Sequence, residues 1–386
     1  MPWSQVAVGF SVATGVMVAL INIAPVLPLI REDFGLTNAW AGILSSATFF
    51  THTLLQFLGG VVSDRLGLKR TLLLGLGVIV VAMIASALAP DLSLLLAARL
   101  LVGIGTSLSF ISALAYVNEI TPLRSRQVVQ GMFGASANIG VLLVMVTAGS
   151  LALLIGWRGS FLVEGAAVLV VLGVVAARLR PDLEFSSDTS APWGEVLRHR
   201  HLYLLGLAHV MTYGAFTGIS AWAVTFLWEQ HAVGLEWAGV LAALLPAAAI
   251  LSRTVGGKLS MGREKTAIVT SCGIAAAGIG VMALVPGTVP ALIILAIVGW
   301  FAAMPFGAIF SYSSLIGGAR SSGRDLTLVN FIGNLGALGF PPAVGYAVDL
   351  TGSFAAGFGV IAAIGVVGCA TVVAWLPSPT SSRSRP

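Results

Sequence analysis

The stretch Gly60-Val61-Val62-Ser63-Asp64-Arg65-Leu66-Gly67-Leu68-Lys69-Arg70 packs one acidic and three basic groups between two long apolar runs. Such a knot of charge reads as a short loop at a membrane surface, and the runs on either side as helices crossing lipid. Working outward, the pattern repeats along the whole chain. Apolar runs begin near Val6, Ala39, Thr71, Leu92, Val128, Ser160, Leu202, Ala238, Thr266, Ala291, Thr327 and Phe354. A bilayer core needs roughly 20 apolar residues per helix, so these runs predict twelve transmembrane helices. Composition agrees. Of 386 residues, 57% are hydrophobic and 9% charged, against about 25% charged in soluble proteins, and the mean hydropathy is +0.98. The continuous runs exclude a porin, whose strands alternate in short segments. The predicted fold class is an all-α membrane protein.

The basic residues give the orientation. If the N-terminus is cytoplasmic, every Lys and Arg falls in an inside loop or tail except Arg31 and Arg158 outside and Arg99 and Arg253 within spans. This bias predicts both termini in the cytoplasm of an inner-membrane protein. The basic residues are spread between loops, so nucleic acid is not expected as a partner despite a pI near 9.6. The first apolar stretch lacks a basic leader and a small-residue cleavage site, and reads as a span rather than a cleaved signal. One long polar stretch, containing Pro181, Ser186, Ser187, Ser190 and Pro192, divides the spans six and six. The expected organisation is a six-helix half over 1–177, a cytoplasmic linker over 178–201, a second half over 202–377 and a tail over 378–386. Cys272 and Cys369 lie in apolar spans, which argues against disulfides and a metal site. Tryptophans such as Trp3, Trp157, Trp228 and Trp375 fall near span ends, where an interfacial belt is expected.

The two halves repeat. Leu55-Gln56-Phe57-Leu58-Gly59-Gly60 ends span two as Ser252-Arg253-Thr254-Val255-Gly256-Gly257 ends span eight, and Asn138-Ile139-Gly140 in span five matches Asn334-Leu335-Gly336 in span eleven at a nearly equal offset. Such duplication is a hallmark of secondary transporters. The loop from Gly60 to Arg70 resembles the GxxxDRxGxxR signature of the major facilitator superfamily, and the resemblance extends along the chain. Arg99-Leu100-Leu101-Val102-Gly103-Ile104-Gly105 is similar to that family's RxxxGxG element, and Gly156-Trp157-Arg158 enters span six. The implied fold is two pseudo-symmetric six-helix bundles. By the resemblance, Gly60, Asp64, Arg65, Gly67 and Arg70 form a gating motif. Asp64 would pair with neighbouring arginines and the N-terminal end of span eleven, latching the cytoplasmic side. The alternative is that the basic residues serve only as topology signals. The second-half copy has Met261 in place of the acid, and span five, with Gly131-Met132-Phe133-Gly134-Ala135-Ser136, lacks the GPxxGG element of drug/proton antiporters.

Charges inside a span cost roughly 2.5 to 3.5 kcal/mol on insertion scales, which makes each a functional candidate. Arg253 lies eight residues before Met261, about 12 Å into the membrane at 1.5 Å per residue. Its guanidinium fork suits carboxylate, nitrate or another planar anion. The competing reading is an arginine satisfied by helix carbonyls. Arginine at this point is similar to the substrate-binding arginine of nitrate/nitrite porters and of oxalate and monocarboxylate transporters. Nitrate porters carry a second arginine where this chain has Gln56, so the resemblance implies one fixed positive charge and a singly charged anion. Asn138, Asn334 and Tyr213 are further candidate contacts. His52, four residues before Gln56, and His209, four before Tyr213, are candidates for carrying a coupling proton. Arg99 and Glu164 lie at similar depth in spans four and six. They read either as a neutralised buried pair or, by resemblance, as a proton-coupling pair with Glu164 as the carrier.

No nucleophile elbow, zinc-binding helix or phosphate loop occurs, so neither an enzyme nor an ATP-driven pump is expected, and no cofactor or metal is implied. The expected function is secondary transport of a small monovalent anion, an organic carboxylate or a nitrate-, nitrite- or cyanate-like species, by symport or antiport with protons or a counter-anion, by a monomer in the lipid bilayer. The alternatives are an exporter of amphipathic drugs or metabolites and a non-transporting membrane sensor.

Overall fold

The computed structural model describes residues 2–180, 193–317 and 323–377, with all side chains except those of 57–61, 64, 123–124, 126–127, 313–317 and 323. Most of the expected linker, the expected tail, and the side-chain environment of Gly60 and Asp64 lie outside these residues.

Among the described residues, ten helices are long and apolar enough to cross a membrane. One of them is two predicted spans joined end to end, because the helix Leu123–Arg178 breaks at Gly156, whose φ of 75° and ψ of 160° are non-helical. Glycine reaches that backbone region without a Cβ penalty. The turn is then pinned by the next two residues: Trp157 Nε1 and Arg158 Nη1 both donate to Asp33 Oδ2, at 3.1 and 2.7 Å. The helix Asn38–Leu66 supplies the remaining predicted span. In chain order, the twelve spans among the described residues are span 1 Trp3–Phe34, span 2 Asn38–Leu66, span 3 Leu68–Ala87, span 4 Leu92–Glu119, span 5 at 123–155 and span 6 at 157–178. The second half has span 7 Arg200–His231, span 8 Leu235–Leu259, span 9 Glu264–Met282, span 10 Thr288–Tyr312, span 11 Gly323–Thr351 and span 12 Phe354–Trp375. Gly67, with φ 80°, makes the tight reversal between spans 2 and 3.

The spans form two six-helix bundles that meet along two seams, span 2 against span 11 and span 5 against span 8. Small residues set how closely backbones approach in a membrane. At the end of the molecule opposite the 60–70 loop the approach is very close: a Cβ on Gly42 would fall 2.4 Å from Pro341 O, one on Gly345 2.1 Å from Asn38 O, and one on Gly239 2.4 Å from Met145 O. Polar links join the bundles at the same end. The Asp349 carboxylate accepts from the Asn38 and Ala39 backbone amides at the start of span 2, and Arg31 pairs with Glu229.

Candidate functional site

Span 7 contains a π-helical turn, Val210–Gly214. Such turns are rare and concentrate at functional sites. This one stacks the His209 ring on Tyr213, with centroids 5.2 Å apart and planes at 17°. Phe306 and Phe310 of span 10 pack on the same imidazole at 5.9 and 5.4 Å. Gly333 of span 11 makes room for it, since a Cβ there would fall 2.0 Å from His209 Cδ2. His209 is 1% exposed. Neither ring nitrogen meets hydrogen-bond geometry, although Asn330 lies near enough to interact.

Arg253 enters this aromatic group from span 8. Its guanidinium lies 4.3 Å from the Phe306 ring centroid, a cation–π contact, and within electrostatic reach of Tyr213 and His209. Nη1 donates across the seam to Gly134 O of span 5 at 3.1 Å. Gly134 has no side chain to block it: a Cβ would fall 2.6 Å from Nη1. Arg253 Nε is buried without an acceptor, and no carboxylate among the described residues pairs with this charge. One turn further along span 5, on the same face as Gly134, Asn138 is 2% exposed and its Nδ2 also lacks an acceptor. Helix-carbonyl satisfaction of Arg253, the competing sequence reading, is therefore partial.

The other predicted contacts form a chain across the second seam. His52 Nδ1 lies 3.1 Å from Thr106 Oγ1 of span 4, and its Nε2 lies 3.1 Å from Gln56 Nε2. Gln56 Oε1 accepts from Asn330 Nδ2 of span 11 at 2.9 Å. Asn334 Nδ2 donates back to Asn330 O, leaving Asn334 Oδ1 unpartnered. The amide of Gln56 is thus committed on both sides. Asn330 holds the chain together, and the sequence signal for it was its place one turn before Asn334.

Arg99 and Glu164 lie apart from both clusters, inside the first bundle. The direct ion pair expected from their depth is not formed. Arg99 donates instead to Thr48 Oγ1, Ala19 O and Met83 Sδ, and Glu164 Oε2 accepts from Asn22 Nδ2. Shared depth fixes height along a helix but not the direction a side chain takes around it. Of the gating residues, Gly67 forms the turn between spans 2 and 3, and Arg65 and Arg70 are exposed. No group of His, Cys, Asp or Glu among the described residues could hold a metal ion.

The family model of the Major Facilitator Superfamily matches residues 7–341. This chain belongs to that superfamily. As a major facilitator protein it is a multi-pass membrane transporter and not an enzyme. It is similar to a probable sulfoacetate transporter of Cupriavidus necator, 25% identical over 374 residues that cover 86% of this chain and 84% of the relative. It is also similar to a lincomycin resistance protein of Streptomyces lincolnensis, 32% identical over 166 residues, 43% of this chain and 34% of that one. Among solved major facilitator structures, a bacterial homolog of the human lysosomal transporter Spinster, inward-facing and occupied, superposes with a TM-score of 0.82 over 98% of this chain and 96% of the other, at 17% identity.

Proposed function

We propose that this major facilitator transporter carries a small monovalent anion, an organic carboxylate or sulfonate or a nitrate-, nitrite- or cyanate-like species, held between spans 5 and 8. The observation that carries the reading is a pair of buried donors on facing helices, Arg253 Nε and Asn138 Nδ2, neither with an acceptor. Buried donors left unmet cost about 1–3 kcal/mol each, more when charged. An anion bridging them removes that cost and adds a charge-assisted bond. The relative named for sulfoacetate supports an organic anion as the substrate, although sulfoacetate itself, with a sulfonate and a carboxylate, carries two negative charges at neutral pH.

The protein sits in the bacterial inner membrane with both termini cytoplasmic, as the basic loops direct. The 60–70 loop then faces the cytoplasm, and the glycine-lined seam closes the periplasmic end. Anion binding draws span 5 of the first half toward span 8 of the second, and rocking of the halves about this point exchanges the open mouth. Gln56 and Asn330 act as a link between halves, not as a substrate contact. A linker near 178–201 lets the halves move.

Replacing Arg253 with Gln tests the reading. Uptake of labelled acetate or nitrate into proteoliposomes collapses in the variant while its elution as a folded protein is unchanged. Flux equal to that of the parent sinks the proposal.

The aromatic group around Arg253 and the partial likeness to a lincomycin resistance protein favour a second reading, export of amphipathic compounds by apolar contact. In that case Arg253→Gln leaves efflux of a dye such as ethidium intact.

A further inference from the structure

Two phenylalanines are related by the internal repeat. Phe110 of span 4 and Phe306 of span 10 stand 196 positions apart, the same separation as Asn138 and Asn334. Each reaches toward both seams. Phe110 packs on His52, which leads through Gln56 to span 11, with centroids 6.2 Å apart, and on Phe133, the residue before Gly134, at 5.2 Å. Phe306 lies over the Arg253 guanidinium, which crosses to Gly134, and packs on His209, which is seated against Gly333 of span 11. Rings placed in this way lie between the halves. Pseudo-symmetry then sets the two rings on opposite sides of that space, one from each half.

Both rings are half-buried, as are Phe10, which packs on Phe133 at 6.3 Å, and Phe310, which packs on Phe306 at 4.6 Å. Counted from the helix ends on the side of the 60–70 loop, these four phenylalanines lie seven to eleven residues in, about 10 to 17 Å at 1.5 Å per residue. That is the depth of Arg253. The space beside the guanidinium is therefore walled by aromatic faces that keep free surface. Nitrate, cyanate and acetate answer only the polar side of such a site, where Arg253 Nε and Asn138 Nδ2 are donors without acceptors. They have too little apolar surface to cover the rings, and aromatic faces carry negative partial charge that favours a flat apolar body over an anion. An occupant that answers both sides has a carboxylate at one end and a flat apolar ring at the other.

We propose that the anion carried at Arg253 is an aromatic monocarboxylate of the benzoate type. Its carboxylate lies in the Arg253 fork and accepts from Asn138, and its ring sits between Phe110 and Phe306. The order of the groups follows from the contacts. Phe306 already touches the guanidinium, so a carboxylate held by Arg253 brings the ring attached to it alongside Phe306, with its other face toward the first half. Rocking of the halves then closes Phe110 onto that second face. The substrate gains its last contact only in the closed state, and this difference in binding between states is what can drive closure. The inference rests on the anion reading of Arg253 and narrows it to one substrate class.

Calorimetric titration of the purified full chain in lipid nanodiscs, with empty discs as the blank, tests it with benzoate, acetate, nitrate and benzyl alcohol. Benzoate binds about tenfold to a hundredfold more tightly than acetate, because both ring faces leave water, and more tightly than benzyl alcohol, which has the ring without the charge. F110L and F306L each lower the benzoate-to-acetate ratio by about fivefold, and R253Q removes binding of both acids. Reading a ratio in two variants on opposite halves separates a lost ring contact from a general loss of binding. A ratio near one in the parent, or a ratio that survives both leucine variants, overturns the aromatic assignment. If R253Q still abolishes acetate and nitrate binding in that case, the small-anion reading stands without it. Benzoate binding that persists in R253Q, or benzyl alcohol binding equal to that of benzoate, sinks the anion reading and this inference with it. So does a parent that binds none of the four.

Discussion

Asp349 Oδ1 lies 2.9 Å from the backbone nitrogen of Asn38 and 2.8 Å from its side-chain Nδ2, while Oδ2 takes the amide of Ala39 at 2.8 Å. A carboxylate at the end of span 11 thus caps the start of span 2 in the other half. The family resemblance implies a counterpart, Asp64, at the end of span 2. The two seam helices run antiparallel, so the Asp349 carboxylate at the C-terminal end of span 11 meets the N-terminus of span 2, where anions are favoured.

Asp349 is exposed, so the interaction is modest and salt-sensitive. Asp349→Asn keeps the shape and removes the charge, weakening closure of that end by about 1 kcal/mol. The readout is a cysteine at Ser46, 3% exposed on the seam, in a background with Cys272 and Cys369 replaced by alanine. Membrane-impermeant thiol reagents label it roughly fivefold faster in the Asn variant, and raising salt narrows the gap by speeding the parent. Equal labelling in both would show that the glycine contacts alone hold this end shut.

The spans, the 60–70 reversal and the break at Gly156 are legible in the sequence because each depends on local composition or on a single glycine. Arg253 is legible for a related reason, as a charge among apolar residues is conspicuous. The links between halves are not. Gln56 and Asn330 are separated by 274 positions, and a lone Asn on an apolar helix announces no partner. Equal depth predicts that Arg99 and Glu164 pair, yet their azimuths send one to Thr48 and Ala19 and the other to Asn22. The Asp349 cap was hidden because two of its three partners are backbone amides, which carry no sequence identity.

The Gln56–Asn330 bond can be weighed by a double-mutant cycle. Asn330→Leu strands Gln56 Oε1 in a buried place, at a cost of about 1–3 kcal/mol. Gln56→Leu strands the Asn330 amide similarly. Removing both leaves only the His52 ring nitrogen that Gln56 had met, a loss already present in the Gln56→Leu single variant, so the double variant is more stable than the two single losses predict, by about 0.5–3 kcal/mol of coupling. Thermal unfolding of the four detergent-purified proteins checks this. Additive losses would mean that the two amides do not meet in the folded state.

Gly134 offers a way to disturb the anion site without deleting its charge. A Cβ there would fall 2.6 Å from Arg253 Nη1, and the atom that must yield is the far end of a flexible side chain, so Gly134→Ala folds and inserts normally. The guanidinium is pushed off the Gly134 carbonyl and loses the bond that aims it at the seam. A hydrogen bond to a charged group contributes about 1.5–3 kcal/mol, so the apparent KM for the transported anion rises by about tenfold to a hundredfold, with protein abundance unchanged. Arg253→Gln in the same assay sets the floor. If Gly134→Ala matches the parent, the contact is incidental, and Arg253 is held by Phe306 alone.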